Sequence, residues 1–248
     1  MNQTIETILS HRSIRKFKNE TLDQKTVETL VKCAQAASTS SYQQVYSIIG
    51  VEDSEMKKKL AVLAGGQDYV AENGYFFVFC LDYHRHMLSS VMTGADITAT
   101  VQSMEGFIVG TADAALAAQN MAVAAESLGL GIVYIGGIRN NIQEVSDLLK
   151  CPDHVVPLFG LAVGVPAANP GTKPRLPMNA VFHHNTYKSD DELKNELQRY
   201  EQETAAYYAE RTDGKRTAGW VSHMMAAMEV PKRTFMKDFL NKKGLNKK

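Results

Sequence analysis

Apolar residues recur at helical spacing in two stretches near the start of the chain. Ile5, Ile8 and Leu9 fall on one face of a predicted first helix, which leads into a polar run. The same spacing predicts a second helix from about residue 23 to residue 37, and Asp23 is a residue type that caps helix N-termini. Both segments therefore have one face suited to packing against a core.

Short apolar runs elsewhere predict strands. The run Tyr75–Leu81 is continuous and rich in aromatic residues, which favours a central strand buried on both faces. Strands and helices are interleaved without a regular alternation, which indicates a mixed α+β fold. The other predicted strands are 46–51, 132–135 and 157–164, and the other predicted helices are 54–63, 142–149 and part of 87–100.

A segment from residue 112 to residue 125 contains eight alanines among 14 residues. A helix with so little side-chain bulk lets other backbones approach closely, so we expect it at the centre of the molecule or at a subunit contact. The surrounding apolar stretch, 107–128, is not predicted to span a membrane because it contains several polar groups. These groups are Asp113, Gln119, Asn120 and Glu126.

The composition of the 248 residues is that of a soluble globular protein, with 44% hydrophobic and 22% charged residues. The 27 basic residues balance the 27 acidic ones, so nothing predicts attachment to nucleic acid or membrane by bulk charge.

Three cysteines are too few for a disulfide framework. Cys33 and Cys80 are expected in the core and Cys151 is expected to be the most exposed. We predict a cytoplasmic protein with reduced thiols.

Two short basic motifs are candidates for binding an anion. His11-Arg12-Ser13-Ile14-Arg15 follows the first helix, and Lys173-Pro174-Arg175 lies in a loop stiffened by prolines. Arginine forks and serine hydroxyls are common partners of phosphate. The first motif alone is equally consistent with a solvated basic turn, and the second alone is more typical of a surface loop. Two separated cationic clusters in an electrically neutral chain nevertheless favour one shared anionic ligand.

The glycine-rich segment Gly129–Gly137 does not match a dinucleotide-binding fingerprint, because its first glycines precede a predicted strand rather than follow one. Gly136 and Gly137 still permit a planar ring to approach the backbone closely. No metal site is predicted, since the histidine pairs His84/His86 and His183/His184 lack carboxylate or thiolate companions at ligand spacing.

Taken together, the motifs resemble the flavin reductase P / oxygen-insensitive NADPH nitroreductase group of the nitroreductase superfamily. The resemblance runs in order along essentially the whole chain. The motifs that carry it are His11-Arg-Ser-Ile-Arg15, Ser38-Thr-Ser-Ser41 with Gln44, Gly65-Gly-Gln67, Ala118-Gln-Asn-Met121, Ala125-Glu-Ser-Leu-Gly-Leu-Gly131, Tyr134-Ile-Gly-Gly137, Pro157-Leu-Phe-Gly160, Lys173-Pro-Arg-Leu-Pro177 and Tyr207-Tyr208-x-x-Arg211.

The resemblance implies a single α+β domain spanning residues 1–248, with a central, mainly antiparallel sheet flanked by helices in an intertwined homodimer. The core would end near residue 191, and a charged helical extension from about 192 to 248 would reach across the partner. Two FMN molecules would sit at the subunit interface.

The resemblance also implies roles for particular residues. Arg15 would face the N1/O2 edge of the flavin and Gln67 its pyrimidine edge, while Arg211 would contact the extra phosphate of NADPH. The FMN phosphate would be held by His11, Arg12, Ser13, Lys173 and Arg175; the ring would be lined by Tyr134, Ile135, Gly136 and Gly137; and Thr39 and Ser40 would come from the other subunit, although relatives often have serine where Thr39 stands.

The implied activity is hydride transfer from NADPH, as co-substrate, through bound FMN to small acceptors such as free flavin, nitroaromatics or quinones, by a ping-pong mechanism. The cofactor supplies the chemistry, so no catalytic side chain is predicted. Two alternatives remain open: the acceptor is a disulfide or another specific metabolite, or the protein is a flavin-binding sensor or store without significant turnover.

Overall fold

A computed structural model describes residues 2–247 and contains a four-stranded antiparallel sheet of order β1-β2-β4-β3. Neighbouring strands pair antiparallel throughout, with one irregularity between Phe79 and Cys80. The predicted antiparallel α+β fold is confirmed. The strands are β1 (Tyr46–Val51), β2 (Tyr75–Asp82), β3 (Gly131–Ile135) and β4 (Val155–Gly164).

The helices agree with the predicted segments to within a few residues at most ends. Asp23 caps the second helix by accepting a hydrogen bond from the Thr26 backbone, as expected. The helices are α1 (Gln3–Leu9), α2 (Gln24–Gln35), α3 (Ser54–Leu63), α4 (His84–Thr93), α5 (Thr98–Val101), α6 (Met104–Ser127), α7 (Ile142–Leu148), α8 (Met178–Val181), α9 (Asp190–Arg211), α10 (Trp220–Met228) and α11 (Met236–Lys242).

Strand β2 is buried on both faces, which explains its unbroken apolar sequence. Phe77, Phe79 and Leu81 pack into one core cluster with residues of α2 and α6. The alternate positions, including Phe76 and Val78, pack into a second cluster with residues of α3 and α7. Because successive side chains of a strand point to opposite faces, the sheet lies between two layers of helices.

Helix α6 packs closely against the sheet, as its alanine content predicts. A Cβ atom added to Gly110 would lie 2.6 Å from Leu81, so glycine is needed for this contact. The helix is ten residues longer than predicted, because it begins at the cap Ser103 and extends past residue 125. By length and composition it could cross a membrane. Here it is a core helix, since Asp113 in its interior is fully buried and bonded to backbone amides.

The chain forms two compact units. The first contains residues up to Gly171 together with those from Arg233 onward, and the second contains Thr172–Lys232. In the first unit, Phe239, Leu240 and Leu245 near the C-terminus are buried in the core. The predicted boundary near residue 191 stays a prediction, and the compact units have different bounds.

The second unit consists of α8, α9 and α10. Helix α9 begins with a capping box between Ser189 and Glu192. Glu201 in the same helix accepts a hydrogen bond of 2.7 Å from the Val221 backbone and so caps α10. Tyr200 packs beside Trp220, with their ring centroids 5.8 Å apart.

The predicted exposure of Cys151 is wrong. Cys151 is 9% exposed, whereas Cys33 is the partly exposed thiol. Cys151 follows the end of α7, where its backbone amide donates to the Ser146 carbonyl, and buried Lys243 donates to the Cys151 carbonyl at 2.7 Å. Cys151 belongs to the same core cluster as Cys80 of β2, a residue far away in the sequence, so local polarity could not reveal its burial.

Candidate cofactor site

The first basic motif lies along the edge of β3 that does not pair with β4. Ser13 pairs with Ile132 in a parallel bridge, and the Ile14 amide donates to the Ile132 carbonyl at 2.9 Å. Ile14 is buried against Gly131, where an added Cβ would lie 2.7 Å from the Ile14 side chain. Strand β3 therefore holds the backbone of the motif. Ser13 lies opposite Ile132, which is two residues before Tyr134 in that strand.

His11 and Arg12 are each anchored by a residue far away in the sequence. His11 Nδ1 lies 2.8 Å from Glu126 Oε1 near the end of α6. Arg12 donates from Nε to Asn169 Oδ1 at 2.7 Å and from Nη1 to the Ser10 carbonyl. The Nη2 group of Arg12 has no hydrogen-bond partner in residues 2–247, so it is available to an anion.

Arg15 is an exposed cation on a rigid backbone. Phe17 pairs with Pro166, and the Lys18 amide donates to the Val165 carbonyl at 2.9 Å. Ile14 on the other side is buried. The Arg15 guanidinium itself forms no hydrogen bond or ion pair within the described part of the chain. Its five donors are therefore available to an acceptor from outside residues 2–247, such as a bound ligand.

Gln67 and Gly137 are brought together. A Cβ atom on Gly137 would lie 2.8 Å from Gln67 Nε2 and 2.4 Å from the Ala64 carbonyl oxygen. Gly65 and Gly66 adopt positive φ values of 96° and 72°, which allow the chain to turn sharply from α3 toward Gln67. The structure thus brings together two segments that the sequence identified separately.

Tyr134 is 38% exposed, and its ring packs edge-on against Phe159 with centroids 5.7 Å apart. Burial, with a contribution from Glu126, raises the pKa of the Tyr134 hydroxyl. The next residue, Ile135, is almost fully buried in the core. The backbone of Ile135, rather than its side chain, is available to line a ligand. The short 3-10 helix Gly136–Arg139 follows directly.

Thr39 and Ser40 lie in a backbone segment with unusual conformations. Ser41, Tyr42 and Gln44 all have positive φ values, between 48° and 61°, which are costly for residues other than glycine. Buried Asp113 holds both ends of this segment, accepting from the Ser40 amide at 2.9 Å and from the Val45 amide at 3.0 Å. Among residues 2–247 the Thr39 side chain has no hydrogen-bond partner.

In the second unit, Lys173 and Arg175 are exposed at a cavity of about 270 Å³ that is otherwise lined largely by aromatic residues of α9 and α10. The Tyr200 hydroxyl donates to the Pro174 carbonyl at 3.0 Å and fixes the loop between the two cations. Arg211 is exposed at the end of α9, where it donates to the Tyr207 hydroxyl and lies beside that ring.

Comparison with known proteins decides the family. Residues 8–165 match the family described as "Nitroreductase family", and residues 173–248 match "Nitroreductase family, C-terminal domain". The chain belongs to the nitroreductase family. The resemblance stated from the sequence is confirmed.

Several relatives match this nitroreductase over its whole length. "FMN reductase (NADPH)" of Bacillus subtilis is 53% identical over 248 residues, covering 100% of each chain. The solved structure of B. megaterium NfrA1 is 54% identical with a TM-score of 0.98, covering 99% of this chain and 100% of that one. The NADPH:FMN oxidoreductase of Vibrio harveyi, solved with NAD+, is 40% identical with a TM-score of 0.90 and covers 100% of each chain.

Two arginines of this nitroreductase near the glycine turn were missed by sequence reasoning. Arg139 lies 3.3 Å from the position of a Cβ on Gly136 and donates to the Leu158 carbonyl. Arg233 donates twice to Asn140 Oδ1, at 3.0 and 2.8 Å. Burial and the nearby Arg233 charge lower the pKa of Arg139. Arg139 could have been found as a basic residue two positions after the Gly136-Gly137 pair. No local pattern in the sequence indicates Arg233.

The polar anchors of the candidate site were also missed. Glu126, Asp113 and Asn169 each bind a predicted site segment more than 65 residues away in sequence. Of the predicted residues, Gln67 and Gly137 meet, while Ser13 reaches the strand that ends in Tyr134 and Ile135. The Ser40 amide donates to Asp113 instead, and Thr39 is the residue before it.

Proposed function

We propose that the protein is an NADPH-dependent FMN oxidoreductase that reduces small acceptors such as free flavin, nitroaromatics and quinones by a ping-pong mechanism. Its membership of the nitroreductase family and full-length relatives named FMN reductase (NADPH) and NADPH:FMN oxidoreductase support this function. Within the molecule, one observation supports it most directly. Gln67 lies against Gly137 at the end of β3, and the basic motif with Arg12 and Arg15 pairs with the edge of the same strand.

The residues present fit FMN. His11, Arg12 and Ser13 would hold its phosphate, since Arg12 Nη2 has no acceptor within residues 2–247. Arg15 and Gln67 would bind the polar edge of the ring, and Tyr134, Gly136, Gly137 and the Ile135 backbone would line it. The roles of Lys173 and Arg175 at the phosphate, and of Thr39 and Ser40 from a partner subunit, stay predictions that rest on the resemblance.

FMN held by these residues would supply the hydride-transfer chemistry between NADPH and the acceptor. The chain's own contribution is to bind, orient and stabilise charge. The Arg15 guanidinium would stabilise negative charge that develops along the edge it contacts, because preorganised donors favour the charged state. The Tyr134 phenol would stay protonated, since its pKa is raised. No side chain is assigned as a proton donor.

We further propose that the active form is a homodimer. Apolar side chains of α1 and α6, two helices that pack together, remain exposed: Leu9 is 65% and Ile108 is 54% exposed. Exposed apolar patches mark interaction surfaces in soluble proteins. Light scattering at micromolar concentration should give about 55 kDa, twice the 27.4 kDa chain mass. A single-chain mass would contradict the dimer.

Anaerobic addition of NADPH or NADH to the purified yellow protein tests the activity. We expect NADPH to bleach the flavin absorbance faster than NADH. Arg211→Ala should reduce this preference, because Arg211 is proposed to contact the extra phosphate of NADPH. Colour that neither nucleotide bleaches would support a sensor or store, and rapid turnover with only a disulfide acceptor would support the specific-metabolite alternative.

Arg15→Ala tests the proposed flavin contact, and Lys16→Ala is the matched control because Lys16 is also exposed. We expect Arg15→Ala to lower the anaerobic reduction rate by about tenfold or more while FMN affinity changes less. Lys16→Ala should leave both unchanged. Equal reduction rates for the two variants with FMN bound would remove Arg15 from this role.

A further inference from the structure

A second cavity, of about 760 Å³, lies in the first unit among the segment 17–21, helix α3 and the segment 66–73. Its volume is in the range of small-molecule sites. None of the proposed FMN residues lines it. A ligand held there would therefore not share the side chains proposed for the cofactor, although Gly66 and Asp68 beside Gln67 line the cavity.

The wall of this cavity contains a buried ammonium without a counter-charge. Lys57 on α3 is 7% exposed, and its Nζ donates to the Asn73 carbonyl at 2.9 Å. Within residues 2–247 no carboxylate lies in ion-pair distance of it. An ammonium has three donors, and burying one without an anion is costly. Burial accordingly lowers the pKa of Lys57. The unfilled donors favour an anionic group from a ligand.

Asn73 adds a second incompletely bonded polar group to the same wall. Its side chain is 8% exposed, and its amide nitrogen donates to the Tyr69 and Val70 carbonyls at 2.9 and 2.8 Å. Its Oδ1 atom is buried without a partner. Buried polar atoms without partners are rare in native proteins. The Lys57 ammonium, with one acceptor for its three donors, and the unpartnered Asn73 Oδ1 together indicate a wall arranged for a polar ligand.

The rim of the cavity is acidic. Glu52, Asp68 and Glu72 are exposed there. The two rim lysines each lie beside another acid: Lys18 is 3.9 Å from Glu20, which also lines the cavity, and Lys58 is 2.8 Å from Glu55, which does not. A phosphate or a dicarboxylate would be repelled by this rim, whereas a molecule with one negative and one positive group would match both the wall and the rim.

We propose that this cavity binds a small zwitterionic metabolite of the amino-acid type. The carboxylate of the ligand binds the Lys57 ammonium, and its own ammonium faces the rim carboxylates Glu52, Asp68 and Glu72.

Calorimetric titration of the FMN-loaded protein tests the site. The probes are the twenty L-amino acids, with acetate and ethylammonium as single-charge controls. We expect at least one zwitterion to bind below about 1 mM and both controls to bind about tenfold more weakly or worse. Absence of binding by all zwitterions up to about 10 mM would overturn the proposal, as would acetate binding as tightly as the best amino acid.

Lys57→Met should weaken binding of that amino acid by about thirtyfold or more, because it removes one partner of a buried charge pair. Lys59→Met is the matched control, since Lys59 is exposed on the same helix and does not line the cavity. It should bind normally. Equal affinity of the Lys57 and Lys59 variants would overturn the proposal.

A rim variant that leaves Lys57 intact gives an independent result. Glu72→Gln removes an exposed negative charge, so it should weaken amino-acid binding and strengthen acetate binding. Changes of the same sign for both probes would contradict the zwitterion. NADPH-driven flavin reduction should be unchanged in every variant, so this test is separate from that of the proposed function.

Discussion

Replacement of Gly137 by alanine tests whether the contact between the glycine turn and the end of α3 holds the candidate site together. The new Cβ would lie 2.4 Å from the Ala64 carbonyl oxygen, where ordinary contacts begin at 3.4 Å. Ala64 is fully buried, and its carbonyl accepts a hydrogen bond of 3.1 Å from Asn140. The neighbouring Gly136 provides a control, because its Cβ would meet only the flexible end of Arg139, at 3.3 Å.

The cost follows from these contacts. Separating the Cβ from the carbonyl oxygen by about 1 Å requires movement of two backbone segments, and overpacking of this kind costs about 1–3 kcal/mol. Loss of the Asn140 hydrogen bond adds about 1 kcal/mol. We expect Gly137→Ala to lower the free energy of unfolding by about 2–4 kcal/mol. Gly136→Ala should cost less than about 1 kcal/mol, because a shift of about 0.1 Å at the end of the Arg139 side chain restores ordinary contact.

Urea unfolding of the FMN-free protein, followed by far-UV circular dichroism, measures both values. Each variant lowers the backbone entropy of the unfolded chain equally, so the difference between them reports the folded state. Flavin fluorescence titration should also show weaker FMN binding for Gly137→Ala, since the new methyl group displaces Gln67 Nε2. Stabilities of the two variants within about 0.5 kcal/mol would refute the packing argument.

Three further outcomes are expected. Asp113→Asn places an amide opposite the Ser40 and Val45 N–H groups, so it should lower the free energy of unfolding in urea by about 2–3 kcal/mol. Asp147→Asn, at an exposed position, should leave that free energy nearly unchanged. Tyr134→Phe should leave the anaerobic reduction rate unchanged up to pH 10, because the raised pKa keeps the Tyr134 phenol neutral there. A fall in the wild-type rate below pH 10 that is absent from Tyr134→Phe would contradict this. The pKa of Lys57 is lowered from 10.5, so the unfolded state binds more protons between the two pKa values. The stability of the wild type relative to Lys57→Met should therefore rise with pH toward 10.5, and a fall would contradict the burial argument.

Much of the fold follows from local patterns in the sequence. The unbroken apolar run of β2 predicts burial on both faces, and the alanines of α6 predict close packing against the sheet. Two glycines explain why the sequence predicts helix α6 ten residues too short. Gly106 and Gly110 lower helix propensity at the start of α6, but they are required there by contacts with the Thr100 carbonyl and Leu81. Tertiary contact thus outweighs local propensity.

The site was predictable only as separate segments. Motifs at consistent spacing identified the basic residues, Gln67 and the glycine turn, because these are contiguous in sequence. Their anchors were not predictable, since Glu126 and Asn169 lie 115 and 157 residues from the side chains they bind. A single acidic or amide side chain in a helix or loop has no local signal for such a partner.

These anchors divide the basic motif into two functional ends. His11 is paired with Glu126, and Arg12 shares its donors with Asn169 and the Ser10 carbonyl, so part of their hydrogen-bonding capacity is already used. Arg15 has no such partner within residues 2–247 and stands on backbone fixed by the Phe17–Pro166 bridge. The anchored end is suited to positioning a group that stays bound, because its geometry is set before binding. The unpartnered end has all of its side-chain donors available to a group whose charge changes during the reaction. Substitutions at the first end should consequently alter cofactor retention most, and those at Arg15 should alter the rate of reduction most.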